Sequence, residues 1–374
     1  MKNLLKNLAL FLFSCLFGLL ILEVALRVYD PFQFRITGDS ITLRANFTET
    51  WVNHQTTKLD SQIVFSKNNL GFRGPDKPGN LEDYLSIVAV GGSTTECRFS
   101  TDGKDWPSLL GNKLAADFSM TWLNNAGLDG HSTHGHQVLL NDYLVALKPS
   151  VALFYVGIND MGRSDLNSFD KAAIKGNTGS FRDFLLEKSK VANAGFNLLR
   201  AWRAKKLNLT HNLALDLANA PVLEQTDGER EAFLQRAEKD WLPGYRSRLQ
   251  SLVDTCRRHG IEPVFITQPV LFGEGIDSLT GTNLEKVEVW PEANGKTLWE
   301  MLQRYNAVTM EVARQNGCHA IDLGSMFPKT SAYYYDFLHY TNEGCEVLAG
   351  LVFRELKPWL EERFSQNRIL EGEN

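Results

Sequence analysis

The feature that most constrains this chain is a repeated alternation of short apolar runs with helical patterns. Between the runs, apolar residues recur at helical spacing, as at Leu140, Leu144 and Leu147. Strands that alternate with helices predict a mostly parallel sheet covered on both faces, with ligands at the carboxyl ends of its strands. The five runs are 86–92 (SIVAVGG), 120–127 (MTWLNNAG), 151–157 (VALFYVG), 263–267 (PVFIT) and 319–323 (HAIDL).

The N-terminus has a different composition from the rest of the chain. Residues 8–22 (LALFLFSCLFGLLIL) carry no charge and follow Lys2 and Lys6. Apolar neighbours extend the pattern to about 7–28, which is long enough to span a membrane. A cleaved signal peptide is the alternative, but no small-x-small cleavage site follows, so we favour an uncleaved signal-anchor. The lysines place the N-terminus in the cytoplasm and the rest of the chain outside it, in the periplasm or at the cell surface.

The chain after this anchor shows no repeat and no low-complexity tract, and its organisation is that of one folded domain. The chain is 43% hydrophobic and 22% charged, and its net charge of −5 comes without a basic stripe, so nucleic acid is a poor partner. Helical patterns at 181–190 and 229–241 interrupt the strand–helix alternation and indicate an insertion. We divide the chain into a membrane anchor (1–29), an irregular or edge-like lead-in (30–80), an α/β domain (81–362) with a helical insertion at about 165–235, and a C-terminal tail (363–374).

Metal and cofactor sites are not indicated. The segment GGST lacks the lysine of a phosphate-binding loop. His131, His134 and His136 cluster after Gly130, but no acidic or thiol ligand accompanies them at a recognised spacing. The cysteines show no CxxC pair, and their spacing leaves disulfide formation open; those after the anchor are Cys97, Cys256, Cys318 and Cys345.

Small and polar residues follow the predicted strands, where chemistry is expected. A serine hydroxyl needs a base within hydrogen-bond reach, and donors where negative charge develops on the substrate oxygen. We expect Ser93 as nucleophile, His339 as its base and Asp336 as the carboxylate that orients the imidazole. The expected oxyanion donors are the backbone N–H groups of Ser93 and Gly130 and the side-chain amide of Asn159.

Four segments in this order and spacing resemble the sequence blocks of the SGNH (GDSL-type) hydrolases: GGSTTE, NAGLDGHST, GIND and DFLHYTNEG. The resemblance covers about residues 70–356, and GFRG (71–74) and ITQP (266–269) are similar to segments of membrane-anchored bacterial members. It implies a flavodoxin-like three-layer α/β/α fold with a five-stranded parallel sheet, ester hydrolysis or acyl transfer without a cofactor, and the roles assigned above. The first block has glycine where GDSL has aspartate before the serine.

Each candidate also has a structural interpretation when taken singly. Ser93 can cap a helix, Asn159 can be a turn residue, and Asp336 with His339 can be a surface pair. Their joint order at strand ends favours catalysis. The possible substrate contacts are His131, His134, Gln268 and Arg98.

The sequence therefore predicts an extracytoplasmic serine esterase or deacylase that acts on an acyl group of a glycan or lipid through an acyl-enzyme. Two alternatives remain open. One is an O-acyltransferase that modifies a cell-surface polysaccharide through the same acyl-enzyme. The other is a non-catalytic, membrane-tethered binding or assembly protein. The acyl chain, the alcohol and the oligomeric state do not follow from the sequence.

Overall fold

The computed structural model describes residues 2–29, 36–37, 40–162, 188–206 and 211–369. It divides into two compact units. The helical unit combines Met1–Arg44 with Lys171–Leu209, and the sheet unit combines Ala45–Asp170 with Thr210–Asn374.

The regular elements follow the predicted alternation. The strands are β1 (Ile36–Thr37), β2 (Ser40–Ile41), β3 (Phe47–Val52), β4 (Gln62–Lys67), β5 (Leu85–Gly91), β6 (Thr121–Asn125), β7 (Val151–Val156), β8 (Glu262–Thr267), β9 (Glu288–Trp290), β10 (Ala293–Asn294) and β11 (Ala320–Ile321). The α-helices are α1 (Lys2–Val28), α2 (Ser93–Glu96), α3 (Trp106–Ala115), α4 (Thr133–Leu139), α5 (Val145–Leu147), α6 (Lys190–Lys206), α7 (Asp227–Asp240), α8 (Leu242–Arg258), α9 (Gly295–Gln315), α10 (Leu323–Met326) and α11 (Asn342–Arg363). A π-helical turn, Leu140–Leu144, joins α4 to α5.

The centre of the sheet unit is a five-stranded parallel sheet with the order β11-β8-β7-β5-β6. Every residue of β5 and β7 is buried, as expected for strands covered on both faces. Helix α3 packs against α11, and α8 packs against α4 and α9. Each of the five predicted runs forms one strand, so the flavodoxin-like three-layer fold predicted from the sequence is confirmed.

The strand order brings three turns together. After β5 the chain crosses to β6 on one side and then returns to β7 on the other side of β5. This reversal of direction is the place where open α/β sheets bind their ligands, at the carboxyl ends of the strands. The turns after β5, β6 and β7 therefore meet at one edge of the sheet.

The lead-in contains a two-stranded antiparallel pair. Strands β3 and β4 form it, with Phe47 opposite Lys67 and Val52 opposite Gln62. Side chains of β3 alternate between half-buried and exposed, the period-2 pattern of a strand with one covered face. The sequence predicts an irregular or edge-like segment at 30–80, and this pair is its edge-like part.

Arg73 joins the lead-in to the chain that follows the first central strand. Its guanidinium, 1% exposed, donates to the carbonyl oxygens of Glu96 and Cys97 at 2.8 and 2.7 Å and of Ser100 at 2.9 Å. It also lies 4.8 Å from the centre of the Phe65 ring. The arginine of the GFRG segment thus fixes the backbone just beyond α2.

In the helical unit, α1 is long and apolar enough to cross a membrane over Asn3–Val28, a test that a signal sequence also passes. Near its end, the Glu23 carboxylate accepts hydrogen bonds from the backbone of Lys190 and Val191 at the start of α6. In the sheet unit, α7 forms where 229–241 predicted a helix and begins with a capping box at Thr226. Most of the helix predicted at 181–190 lies outside the described residues.

Candidate active site

Ser93, His339 and Asp336 form one continuous hydrogen-bonded chain. The Ser93 Oγ lies 2.8 Å from His339 Nε2, and His339 Nδ1 lies 2.7 Å from Asp336 Oδ2. All three residues are buried. The structure thus brings together Ser93 and His339, which are 246 residues apart in sequence. In this geometry an imidazole can take the serine proton while the carboxylate fixes its tautomer.

Asp336 is held as an anion by its surroundings. Its Oδ1 accepts the backbone N–H groups of Leu338 and His339, both at 2.8 Å, and its Oδ2 accepts that of Asn212 at 3.2 Å. Burial raises the pKa of this carboxyl, but the facing His339 and the donated hydrogen bonds outweigh it and hold the pKa below its ordinary value. An ionised Asp336 accepts the Nδ1–H of His339 and leaves Nε2 to face Ser93.

Ser93 stands where β5 turns into α2. The carbonyl oxygen of Gly92 accepts the N–H groups of Thr95 and Glu96 at 3.0 and 2.9 Å. A Cβ on Gly92 would lie 2.1 Å from Asn159 Nδ2, far inside van der Waals contact. Glycine is therefore required before Ser93 for the strand end and the Asn159 amide to approach each other.

The predicted oxyanion donors lie on the two neighbouring turns. Asn159 stands in a 3₁₀ turn, Ile158–Asp160, and its Nδ2 donates to the carbonyl oxygen of His131 at 2.9 Å. An amide nitrogen carries two hydrogens, so this bond uses only one of them. Gly130 has φ +73°, a left-handed conformation that favours glycine. The N–H of Leu128 donates to the Gly91 carbonyl at 3.0 Å, which fastens the Gly130 turn to the end of β5.

Glu96 supports the same turn through a contact that the sequence did not reveal. This buried carboxylate accepts the backbone N–H of Asp129 at 2.9 Å and lies 3.3 Å from the ammonium group of Lys67. Glu96 ends α2, so the helix that begins at Ser93 also holds the backbone beside Gly130. The nucleophile and its neighbouring turn are thereby fixed relative to each other.

His211, from the predicted insertion, lies against the ring of the candidate base. The two imidazole rings lie 3.9 Å apart at 34°, and the edge of Phe99 contacts His211 with 4.9 Å between ring centres. Burial, together with the charge of His339, lowers the pKa of His211 to about 3. His211 is therefore a neutral imidazole beside the dyad. Sequence reasoning missed it, because it lies in no motif.

Gln268, expected to contact substrate, lies in the interior instead. It is 1% exposed, its Nε2 donates to the Tyr155 and Tyr340 hydroxyls at 3.3 Å, and its Oε1 accepts from the Thr94 hydroxyl at 3.3 Å. These bonds support the nucleophile turn from beneath. The expectation of a substrate contact is corrected, because a strand-end position does not determine whether a side chain points outward or inward.

The other expected contacts are distributed around the site. His131 and His134 are both buried, and the carbonyl of His131 holds the Asn159 amide. Arg98 pairs with Glu49 at 3.1 Å and lies 5.3 Å from the centre of the Trp51 ring, which associates it with the β3–β4 hairpin. These positions place the two histidines, rather than Arg98, beside the strand-end turns.

One group of described residues, His211, Asp336 and His339, has potential metal-ligand atoms within 4.8 Å of one another. However, both oxygens of Asp336 and both ring nitrogens of His339 already take part in hydrogen bonds within the protein. The described arrangement is that of a serine, a base and its orienting carboxylate.

A parallel sheet with a serine at one strand end, hydrogen-bonded to a histidine that an aspartate orients, has the architecture of a serine hydrolase. The chain belongs to the GDSL-like lipase/acylhydrolase family, whose family model matches residues 89–347. It is accordingly an enzyme that hydrolyses ester bonds.

Several solved structures are similar at low sequence identity. A mutant of an acetyl-xylooligosaccharide esterase from Geobacillus stearothermophilus is 15% identical, with 73% of this chain and 94% of that chain covered and a TM-score of 0.42. The acetyl xylan esterase AlAXEase is 14% identical, with 72% and 98% covered and a TM-score of 0.41. LAE5, an α/β hydrolase from the metagenome of Lake Arreo, Spain, is 15% identical, with 73% and 96% covered and a TM-score of 0.42. No curated protein matches the chain.

Proposed function

We propose that this enzyme is a serine esterase that removes an acyl group from a glycan or lipid outside the cytoplasm. The observation that carries the proposal is the chain of two short hydrogen bonds, 2.8 Å from Ser93 to His339 and 2.7 Å from His339 to Asp336. A buried serine hydroxyl in this arrangement is an activated nucleophile.

The reaction would proceed through an acyl-enzyme. As Ser93 Oγ attacks the ester carbonyl carbon, His339 Nε2 takes the hydroxyl proton, and the carbonyl oxygen becomes negatively charged. The N–H groups of Ser93 and Gly130 and the remaining amide hydrogen of Asn159 would stabilise that charge. His339 then gives the proton to the departing alcohol. In the second half, His339 takes a proton from water, which attacks the acyl carbon. His339 then gives that proton to Ser93 Oγ as the acyl–oxygen bond breaks, so the free serine and the acid are released.

A narrow recess lies beside Ser93. It is lined by Ser93, Thr94, Cys97, Phe99, Ser100, Tyr335, His339 and Tyr340. The aromatic ring of Phe99 offers apolar surface close to the nucleophile, and contact of an acyl chain's alkyl part with such surface would be favourable.

The proposed location rests on helix α1. Its Asn3–Val28 stretch has the length and composition of a membrane span, and lysines precede its apolar part. An enzyme tethered in this way would act on acylated glycans or lipids near the outer surface of the membrane.

The proposal is tested by labelling the protein with a fluorophosphonate and mapping the modified residue by mass spectrometry. We expect modification of Ser93, its loss in Ser93→Ala, and a much lower labelling rate in His339→Ala. Ser251→Ala, a change at an exposed serine of α8, is the matched control and should be labelled like the wild type. Modification of another residue, or none, would contradict the proposal.

Product analysis then separates hydrolysis from transfer. An acyl ester is supplied with and without an excess of a sugar acceptor. We expect free acid in both cases. Acylated sugar as the main product would replace the esterase with an O-acyltransferase that uses the same acyl-enzyme.

A further inference from the structure

Two neutral aromatic side chains, His211 and Tyr335, lie against the imidazole of the candidate base. We propose that they are positioning residues that stabilise the protonated form of His339, the cation that exists while the serine proton is being transferred. This inference rests on the proposed function, because it takes His339 as the group that accepts the proton of Ser93.

Both rings are close to the buried imidazole of His339. The centre of the His211 ring is 3.9 Å from that of His339, and the Tyr335 ring is stacked on His339 at 12°, with 5.5 Å between the centres. A cation within about 6 Å of the centre of an aromatic ring is attracted to the electron-rich face of the ring, more strongly where water is excluded. An imidazolium at His339 would therefore be attracted to both rings.

Neither ring carries a charge of its own at neutral pH. Burial, together with the charge of His339, lowers the pKa of His211 to about 3, although the Asp129 carboxylate lies 3.9 Å from the His211 Nε2. Burial, together with the charge of Asp336, raises the pKa of Tyr335 well above its ordinary value, so the hydroxyl keeps its proton. A charged His211 would repel an imidazolium, whereas the neutral ring attracts it.

Hydrogen bonds and one further aromatic ring hold the pair in place. His211 Nδ1 lies 2.7 Å from the Tyr335 hydroxyl, which can donate to it. The backbone N–H of Tyr335 donates to the carbonyl oxygen of His339 at 3.0 Å. Phe99 contacts both rings with its edge, at 4.9 Å between centres to His211 and 6.3 Å to Tyr335. The two rings are thus fixed before the reaction begins, so no reorganisation is needed when the charge appears.

The charge that these rings would stabilise exists only during the reaction. A base starts neutral, so His339 becomes an imidazolium only when it takes the Ser93 proton. Asp336 stabilises that cation through its hydrogen bond to Nδ1 at 2.7 Å, and the aromatic rings act on the same charge from the faces of the imidazole. Because the attraction develops in the transition state, its loss should lower kcat and leave KM largely unchanged.

The test compares two apolar replacements of His211, of which only one is aromatic. His211→Phe keeps a ring and His211→Leu does not, while both lose the hydrogen bond to Tyr335. On a short-chain ester, we expect His211→Leu to lower kcat about 10- to 30-fold with KM changed less than about twofold, and His211→Phe to stay within about threefold of the wild type. Fluorophosphonate labelling of Ser93 should slow in the same order, because that attack also transfers the serine proton to His339. His54→Leu, a change at an exposed histidine, is the control and should behave like the wild type.

Other results would overturn the inference. Equal losses in His211→Phe and His211→Leu would show that the aromatic ring is not what matters, and a loss confined to KM would make His211 a substrate contact. Thermal unfolding shows whether the variants fold. If His211→Leu does not, Tyr335→Leu and Tyr335→Phe make the same comparison, with an expected difference in kcat of about threefold because that ring lies farther from His339.

The labelling experiment separates this inference from the proposed function. If the wild type is not labelled at Ser93, the proposed function is wrong and the inference fails with it. If labelling of Ser93 depends on His339 but proceeds at the wild-type rate in His211→Leu, the proposed function stands and the inference alone is refuted.

Discussion

The two halves of the candidate site are positioned in different ways. Ser93, Gly130 and Asn159 follow directly from β5, β6 and β7, whose register in the parallel sheet fixes where each turn lies. No strand introduces the loop of Asp336 and His339, since β11 ends well before it at Ile321.

Contacts from remote parts of the chain hold that loop instead. Lys58 Nζ donates to the carbonyl oxygens of Ser331 and Tyr334 at 2.7 and 3.1 Å, and Asp277 Oδ1 accepts the N–H of Ser331 at 2.7 Å. Asn212 adds its bond to Asp336 at 3.2 Å. The sheet therefore positions Ser93 and the proposed oxyanion donors, whereas scattered tertiary contacts position the proposed base.

The largest expected effect on activity is at Ser93, in the half of the site that the strand ends position. Ser93→Ala should lower kcat on a short-chain ester by a factor on the order of 10⁶, the scale seen when a serine hydrolase loses its nucleophile. The fold should be unaffected, because the sheet does not depend on the hydroxyl. Thermal unfolding is the control; substantial activity in a folded variant would remove Ser93 from the mechanism.

On the loop half, Asp336→Asn should lower kcat by about 10⁴-fold. An amide can no longer accept the Nδ1–H of His339 as a carboxylate does, so the imidazole loses its productive tautomer. The pH dependence of kcat measures this, together with urea unfolding to check the loop. A loss below about tenfold would show that the remote contacts orient His339 without the carboxylate.

A smaller effect on kcat is expected at Asn159, in the turn after β7. Asn159→Ala should reduce kcat about 10²- to 10³-fold, with little change in KM, because the amide acts mainly on charge that develops in the transition state. Asn141→Ala, a change at an exposed asparagine, is the matched control. A raised KM with kcat unchanged in Asn159→Ala would instead indicate a role in binding the substrate.

The smallest effect concerns stability and pH. Burial raises the pKa of Asp277, but hydrogen bonds from Ser331 and Thr280 outweigh it and lower the pKa below its ordinary value. Its stabilisation is therefore present above about pH 4, the unfolded value, and is lost as pH falls through the lower folded pKa. Asp277→Asn should cost about 1 kcal/mol at neutral pH and flatten the fall in unfolding free energy below pH 4. Urea unfolding at several pH values measures this. If the unfolding free energy of Asp277→Asn falls below about pH 4 as steeply as that of the wild type, the prediction is wrong.

The contrast between strand-end residues and residues held by tertiary contacts also explains how much of the fold and the site the sequence could predict. The five strands and their turns carry local signals, because burial on both faces demands apolar runs that stop at small residues. Ser93 and Asn159 could be located by these signals. His211 could not, since it contacts His339 only through the tertiary fold and belongs to a segment without a motif. Glu96 is similar: its position in GGSTTE was evident, but its bond to Asp129 required the neighbouring turn.

Gly92 restricts how the sequence of this enzyme can vary. Positions 92 and 159 cannot change independently, since any side chain at 92 would meet the Asn159 amide at 2.1 Å. A smaller residue at 159 would make room, but it would remove the donor. The second glycine of GGST is thus a packing requirement that couples two sequence blocks.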